Sequence, residues 1–181
     1  MLFVINGYPG AGKDTFVNYV KKHWELFKLP RMDYKNVKIV NISTIDYLKE
    51  IFKEEFNWDG EKTPEARNAL ATIHKALNDW NDLPFTLTYD KIKEEILKGN
   101  IVFLHCREPY NIERYVEKFN GQSVFIENEK AKNEVLSKSS VNTSDLEVEN
   151  YNYDITIHNN ASLEKLEEQA KTFVFECILS N

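Results

Sequence analysis

The chain has 181 residues, with 29 acidic side chains against 23 lysines and arginines and a formal net charge of −6, and its isoelectric point lies near 5.3. This balance argues against a general nucleic-acid or membrane-surface binder, because such surfaces attract basic patches, so any phosphate binding must be local. With 42% hydrophobic and 29% charged residues, neither disorder nor a fibrous class is indicated, and the length suits one domain with a sizeable buried core.

Leu2-Phe3-Val4-Ile5 is a short apolar run rich in β-forming residues, and it feeds into Asn6-Gly7-Tyr8-Pro9-Gly10-Ala11-Gly12-Lys13-Asp14-Thr15, where a helical pattern opens. The spacing from Gly7 to Gly12-Lys13 fits a phosphate-cradling P-loop, in which glycines let successive backbone N–H groups face phosphate oxygens. The helix that follows points its positive end at the same anion, and Lys13 adds a mobile full charge. Gly7, Tyr8, Pro9, Gly10, Ala11, Gly12, Lys13, Asp14 and Thr15 are therefore the predicted phosphate-binding residues. Asp14 stands where the usual pattern has Ser or Thr. Beside a polyphosphate it is repelled unless a cation intervenes, which makes it the candidate Mg²⁺ ligand.

Phe16, Val17, Val20, Trp24 and Phe27 recur at helical spacing, and Pro30 closes the segment. A second strand is expected over residues 37–42. Ser43 and Asp46 then show capping-box spacing before Leu48, Ile51, Phe52 and Phe56, the expected buried stripe of a helix. Thr63-Pro64 starts another helix with an apolar face of Ala66, Leu70, Ile73, Leu77 and Trp80, and a further helix covers residues 85–98 before Gly99. Two helices in succession, about residues 60–98, read as an insertion at one edge of the core.

Ile101-Val102-Phe103-Leu104 is a continuous apolar strand, as expected for one buried on both faces of a parallel sheet. It delivers His105, Arg107 and Glu108 to the carboxyl edge, where open α/β sheets bind ligands. Arg107 can fork onto a phosphate there or pair with an acid. A helix over 109–119 and a strand over 123–126 follow. Residues 128–150 are polar and weakly patterned and form the candidate mobile lid. A last strand over 154–157 and a helix capped by Ser162 end the chain. The whole reads as a single domain over 1–181, α/β, with a mainly parallel five-stranded sheet flanked by helices. Cys106 and Cys177 lack metal or redox spacing and read as small buried hydrophobes in a reducing compartment. The apolar N-terminal run is too short for a signal segment or membrane span, so a cytoplasmic protein with no membrane or nucleic-acid partner is expected.

Gly7-Tyr8-Pro9-Gly10-Ala11-Gly12-Lys13 followed by Thr15 resembles the loop of adenylate-kinase-like nucleoside monophosphate kinases, and Lys13-Asp14-Thr15 resembles that of phage-type deoxynucleoside monophosphate kinases. Asn41-Ile42-Ser43-Thr44-Ile45-Asp46-Tyr47-Leu48-Lys49 is similar to the acceptor segment of adenylate kinases, with Lys49 where that family places an arginine. Arg107-Glu108-Pro109, and the stretch from Tyr153-Asp154 through Ser162-Leu163-Glu164, resemble uncharacterised bacterial and phage ATP-binding proteins of the same superfamily.

The resemblance implies a P-loop, three-layer sandwich that takes ATP and Mg²⁺ and transfers phosphate to a small nucleotide, a (deoxy)nucleoside monophosphate. Lys13 and Arg107 would be catalytic, and Thr44, Asp46, Lys49 and Arg67 would bind the acceptor. Two departures keep other functions open. His105 stands where many P-loop enzymes end this strand with Asp, and the lid carries Lys130, Lys132 and Lys138 but no arginine. A hydroxyl-directed kinase of the dephospho-coenzyme A or nucleoside kinase type would use Asp46 as its base. A nucleotide-binding switch would hold ATP with little transfer.

Overall fold

A computed structural model describes residues 1–61, 63–137 and 143–179. Five parallel strands, β1 (Leu2–Asn6), β2 (Ile39–Ser43), β3 (Ile101–His105), β4 (Gln122–Glu127) and β5 (Ile155–His158), form one sheet in the order β2-β3-β1-β4-β5. The strand that precedes the glycine loop is thus central. Ile5 lies opposite His105 on one side and Val124 on the other, which brings the ends of β1 and β3 together.

Alternation along the strands divides the core into two layers. Phe3 and Ile5 of β1, with Ile101 and Phe103 of β3, face α1 (Lys13–Lys28) and α8 (Leu163–Phe173). Leu2 and Val4, with Val102 and Leu104, face the opposite way, onto α4 (Leu83–Leu97) and α5 (Pro109–Phe119). Helices on both faces explain why β1 and β3 carry unbroken apolar runs. Trp24 is the largest buried side chain in the first layer, and its indole N–H donates to the Val37 carbonyl at 3.1 Å. Truncating such a residue to alanine costs about 3–5 kcal/mol.

Between β2 and β3 stand α2 (Asp46–Phe56), α3 (Pro64–Asn81) and α4. Thr63 caps α3 by accepting the Ala66 N–H at 3.2 Å, and Pro64 takes the first turn. Gly99 adopts the left-handed conformation expected after α4. The predicted apolar faces of α2 and α3 are corrected here. Leu48 is the buried residue of α2, while Ile51 and Phe56 are exposed; on α3 the buried stripe runs through Leu70 and His74, and Ile73 and Trp80 face outward. Burial on these two helices is confined to a narrow stripe, and the remaining apolar side chains lie beside it, facing outward.

Two caps also differ from expectation. The capping box at Ser43 is half formed: Asp46 reaches back to accept the Ser43 N–H at 2.7 Å, but Ser43 belongs to β2 and makes no side-chain cap. Ser162 occupies the cap position of α8, but its side chain bonds Glu164 rather than capping a backbone N–H of the helix. The weakly patterned stretch after β4 contains α6 (Glu129–Leu136) and the short α7 (Thr143–Leu146). Asn128 caps α6 through the Ala131 N–H at 2.8 Å, and Ala131 and Val135, one helical turn apart, pin it to the core. Lys138 lies outside the described residues. Among the described residues, no helix is long and apolar enough to cross a membrane.

Candidate functional site

The loop after β1 is shaped by close approach. A side chain on Gly7, at φ +148°, would put its Cβ 2.6 Å from the Ile126 carbonyl oxygen. Gly12, at φ +96°, would drive a Cβ into the Asn159 side chain. Both positions thus need glycine. Asn159, just past β5, holds the loop from outside by donating Nδ2 to the Ala11 carbonyl at 2.8 Å, and its own carbonyl accepts from Asn128 at 2.6 Å. Asn6 holds it from below: its Oδ1 accepts the Gly7 N–H at 2.8 Å, while its Nδ2 donates to the Tyr153 hydroxyl at 2.7 Å and the Arg107 carbonyl at 3.2 Å. Tyr153 in turn donates to Val148 at 2.6 Å.

Within this frame the Lys13 ammonium folds back onto the carbonyls of Gly7 and Tyr8, at 2.5 and 2.9 Å. Burial brings its pKa down to about 8, with Arg107 pushing the same way and Asp145 and Asp14 opposing. The cation therefore sits where its charge is poorly solvated, and an anion would be well received. Asp14 is 73% exposed in the first turn of α1, and Thr15 follows it partly buried.

β3 carries the facing groups. His105 Nε2 stands 3.7 Å from Asp14 Oδ1, and its side chain is 15% exposed. Burial lowers the His105 pKa to about 4, with Asp14 opposing, so the ring is neutral at physiological pH. Arg107 pairs with Asp145 of α7 at 2.6 Å, which realises the ion-pair alternative read from the sequence. On β2–α2, the buried Thr44 donates its N–H to the His105 carbonyl at 3.3 Å, and Asp46 binds Lys49 at 2.8 Å. The charges of Asp14, Lys13, Lys49 and Asp46 all act on His105.

Lys13, Asp14, Thr44, Asp46, Lys49 and Arg107 are thus gathered around one sheet edge. Arg67 is exposed on α3, and among the described residues its guanidinium has no hydrogen-bond or ion-pair partner. Lys132 pairs with Glu149 at 2.8 Å beside the buried Tyr8 ring. A cavity of about 530 Å³ lined by Phe52, Phe56, Trp58, Ala66 and Ala69 lies between α2 and α3, with no residue of the glycine loop in its walls. Asn6, Asn159 and Asp145 were not singled out from sequence. The only signals available were an asparagine directly before the first loop glycine and an Asn-Asn pair after the last strand.

No family model matches the chain, and no curated protein matches it. Among solved structures it is similar to a sugar kinase from Janibacter sp. HTCC2649, at 14% identity over 97% of this chain and 95% of that chain, with a TM-score of 0.50. It is also similar to shikimate kinase from Bacteroides thetaiotaomicron, at 13% identity over 100% and 99%, TM-score 0.48. TT1252 from Thermus thermophilus aligns at 18% identity over 98% and 97%, TM-score 0.47. The likeness is one of fold and singles out no one kinase family; with the central strand, glycine loop and parallel sheet, it gives the chain a P-loop kinase-like fold.

Proposed function

We propose that the protein is an ATP-dependent phosphotransferase whose acceptor is a (deoxy)nucleoside monophosphate. The observation that carries this reading is the poorly solvated Lys13 ammonium inside a glycine loop, with Arg107 on the adjoining strand end. The loop N–H groups and the α1 terminus would take the phosphates of ATP, and Lys13 would leave the Gly7 and Tyr8 carbonyls for the β- and γ-oxygens. Thr15 would donate its hydroxyl to the same phosphates. Arg107 would exchange Asp145 for the transferring group, which its planar fork suits. Lys49, Arg67, Thr44 and Asp46 would receive the acceptor.

The exposed Asp14 carboxylate at the helix start fits a divalent cation, which would neutralise charge on the nucleotide when bound. The acceptor phosphate is already ionised, so no dedicated base is required. An acceptor panel assayed with ATP and read by mass spectrometry tests the reading: a nucleoside diphosphate product supports it, and phosphorylation confined to hydroxyl acceptors overturns it.

One observation favours the hydroxyl-directed alternative. Asp46 is positioned by the Ser43 N–H at the acceptor edge, where a general base would be wanted. Both of its oxygens are already engaged, by Ser43 and by Lys49, which is why this reading stands second. A nucleotide-binding switch is a third outcome of the same panel, marked by tight ATP binding without product.

A further inference from the structure

We infer that the divalent cation at this site is held through a histidine nitrogen as well as a carboxylate, His105 Nε2 with Asp14, so that the site takes a first-row transition ion in preference to Mg²⁺. The inference rests on the nucleotide-binding reading above.

His105 is fixed by its backbone. It lies in register with Ile5 of β1 and Ser43 of β2, and its carbonyl accepts the Thr44 N–H at 3.3 Å. The ring therefore leaves the sheet edge in one direction, toward the start of α1. Its Nε2 is buried and, among the described residues, has no hydrogen-bond partner. A buried polar nitrogen without a partner is costly, and such atoms in folded proteins call for an explanation, of which a bound ion is one. The group it faces is Asp14 Oδ1 at 3.7 Å, beyond hydrogen-bond range.

That separation suits a shared ion. Two donors each about 2.1 Å from one metal stand roughly 3.0–3.7 Å apart, depending on the angle between them. Asp14, 73% exposed, is free to close the remaining distance, whereas His105 is not. The donor types then decide the metal. Mg²⁺ prefers an all-oxygen shell, while imidazole suits the borderline transition ions. A P-loop enzyme with Asp at the end of β3 would offer oxygen alone; with His105 there, the chain offers nitrogen.

Mn²⁺ is the probe: of the first-row ions it stands nearest Mg²⁺ in its preference for oxygen, so a histidine bond to it is the stringent case, and its unpaired electrons report directly bound nitrogen. Protein grown with ¹⁵N-histidine is first shown by calorimetry to bind ADP with Mn²⁺, and the complex is then examined by pulsed electron paramagnetic resonance. A ¹⁵N coupling from histidine is expected, distinct from the ¹⁴N of the adenine. It should vanish in His105→Asn, and Mn²⁺ affinity in the ADP complex should fall roughly tenfold or more while Mg²⁺ affinity changes much less. Asp14→Asn, at an exposed position, should weaken both ions. ADP binding without a ¹⁵N coupling, or a coupling that survives in His105→Asn, overturns the inference. Failure to bind ADP at all overturns the reading beneath it, and the inference with it.

Discussion

Arg107 Nη1 stands 2.6 Å from Asp145 Oδ1, a contact that ties the end of β3 to a four-residue helix 38 positions further on. The two partners are unequally placed, with side chains 42% and 9% exposed. Asp145 therefore depends on the pair more than Arg107 does. Arg107→Ala leaves a nearly buried carboxylate unpaired and should cost about 1–3 kcal/mol in urea unfolding. Asp145→Ala should cost less, and the double variant should recover part of the Arg107→Ala loss. Arg107→Lys keeps a charge but not the fork, so transfer should fall more than stability does.

Lys13 should separate function from stability in the opposite way. Its pKa, brought down to about 8, means that folding disfavours the ammonium. Lys13→Met removes that burden, so thermal unfolding should occur at an unchanged or higher temperature. The same substitution should lower phosphoryl transfer by roughly 10²–10³-fold, the scale of losing one fixed stabiliser of developing charge. A folded variant with full transfer activity would show that Lys13 does not meet the phosphates.

Asn159 and Gly12 meet at the outer wall of the loop. Asn159→Ala removes the donor to Ala11 and should lower stability by about 1 kcal/mol, with weaker ATP binding by calorimetry. Gly12→Ala forces a side chain into left-handed backbone against Asn159 and should cost about 1–3 kcal/mol. Combining the two should cost less than their sum, because Asn159→Ala clears the space into which the new Cβ points.

His74 provides a pH dependence. Its ring is buried on α3, its Nδ1 has no partner among the described residues, and burial holds its pKa below the ordinary 6.5, with Glu108 opposing. A depressed value means that the unfolded chain takes up a proton before the folded one does. The stability this group contributes is present above pH 6.5 and is lost as pH falls toward the folded pKa. Urea unfolding at pH 7.5 and at about pH 5 should show that loss, and His74→Leu should flatten part of it. Equal pH slopes for the two proteins would exclude His74 as a source.

Much of the architecture was legible because local and long-range signals agreed. The unbroken apolar runs of β1 and β3, the Thr63-Pro64 start and the Gly99 stop each have one physical explanation, and the elements form where those signals lie. The faces of α2 and α3 were misread because apolar periodicity does not say how much of a helix its neighbours cover: Phe56 and Trp80 fit the pattern yet remain exposed. The loop residues were legible from spacing. The groups that brace them were not, since Asn6, Asn159 and Asp145 act through contacts up to 148 positions apart, and short polar side chains at strand ends and turns are common for purely local reasons.

The most direct test of the central claim is to incubate the protein with ATP, a divalent cation and a panel of ribo- and deoxynucleoside monophosphates, and to follow the products by mass spectrometry. The account predicts a nucleoside diphosphate formed from one or more of these acceptors, with ADP in equal amount, and its loss in Lys13→Met. ATP bound by the folded protein with no diphosphate formed from any acceptor would contradict it.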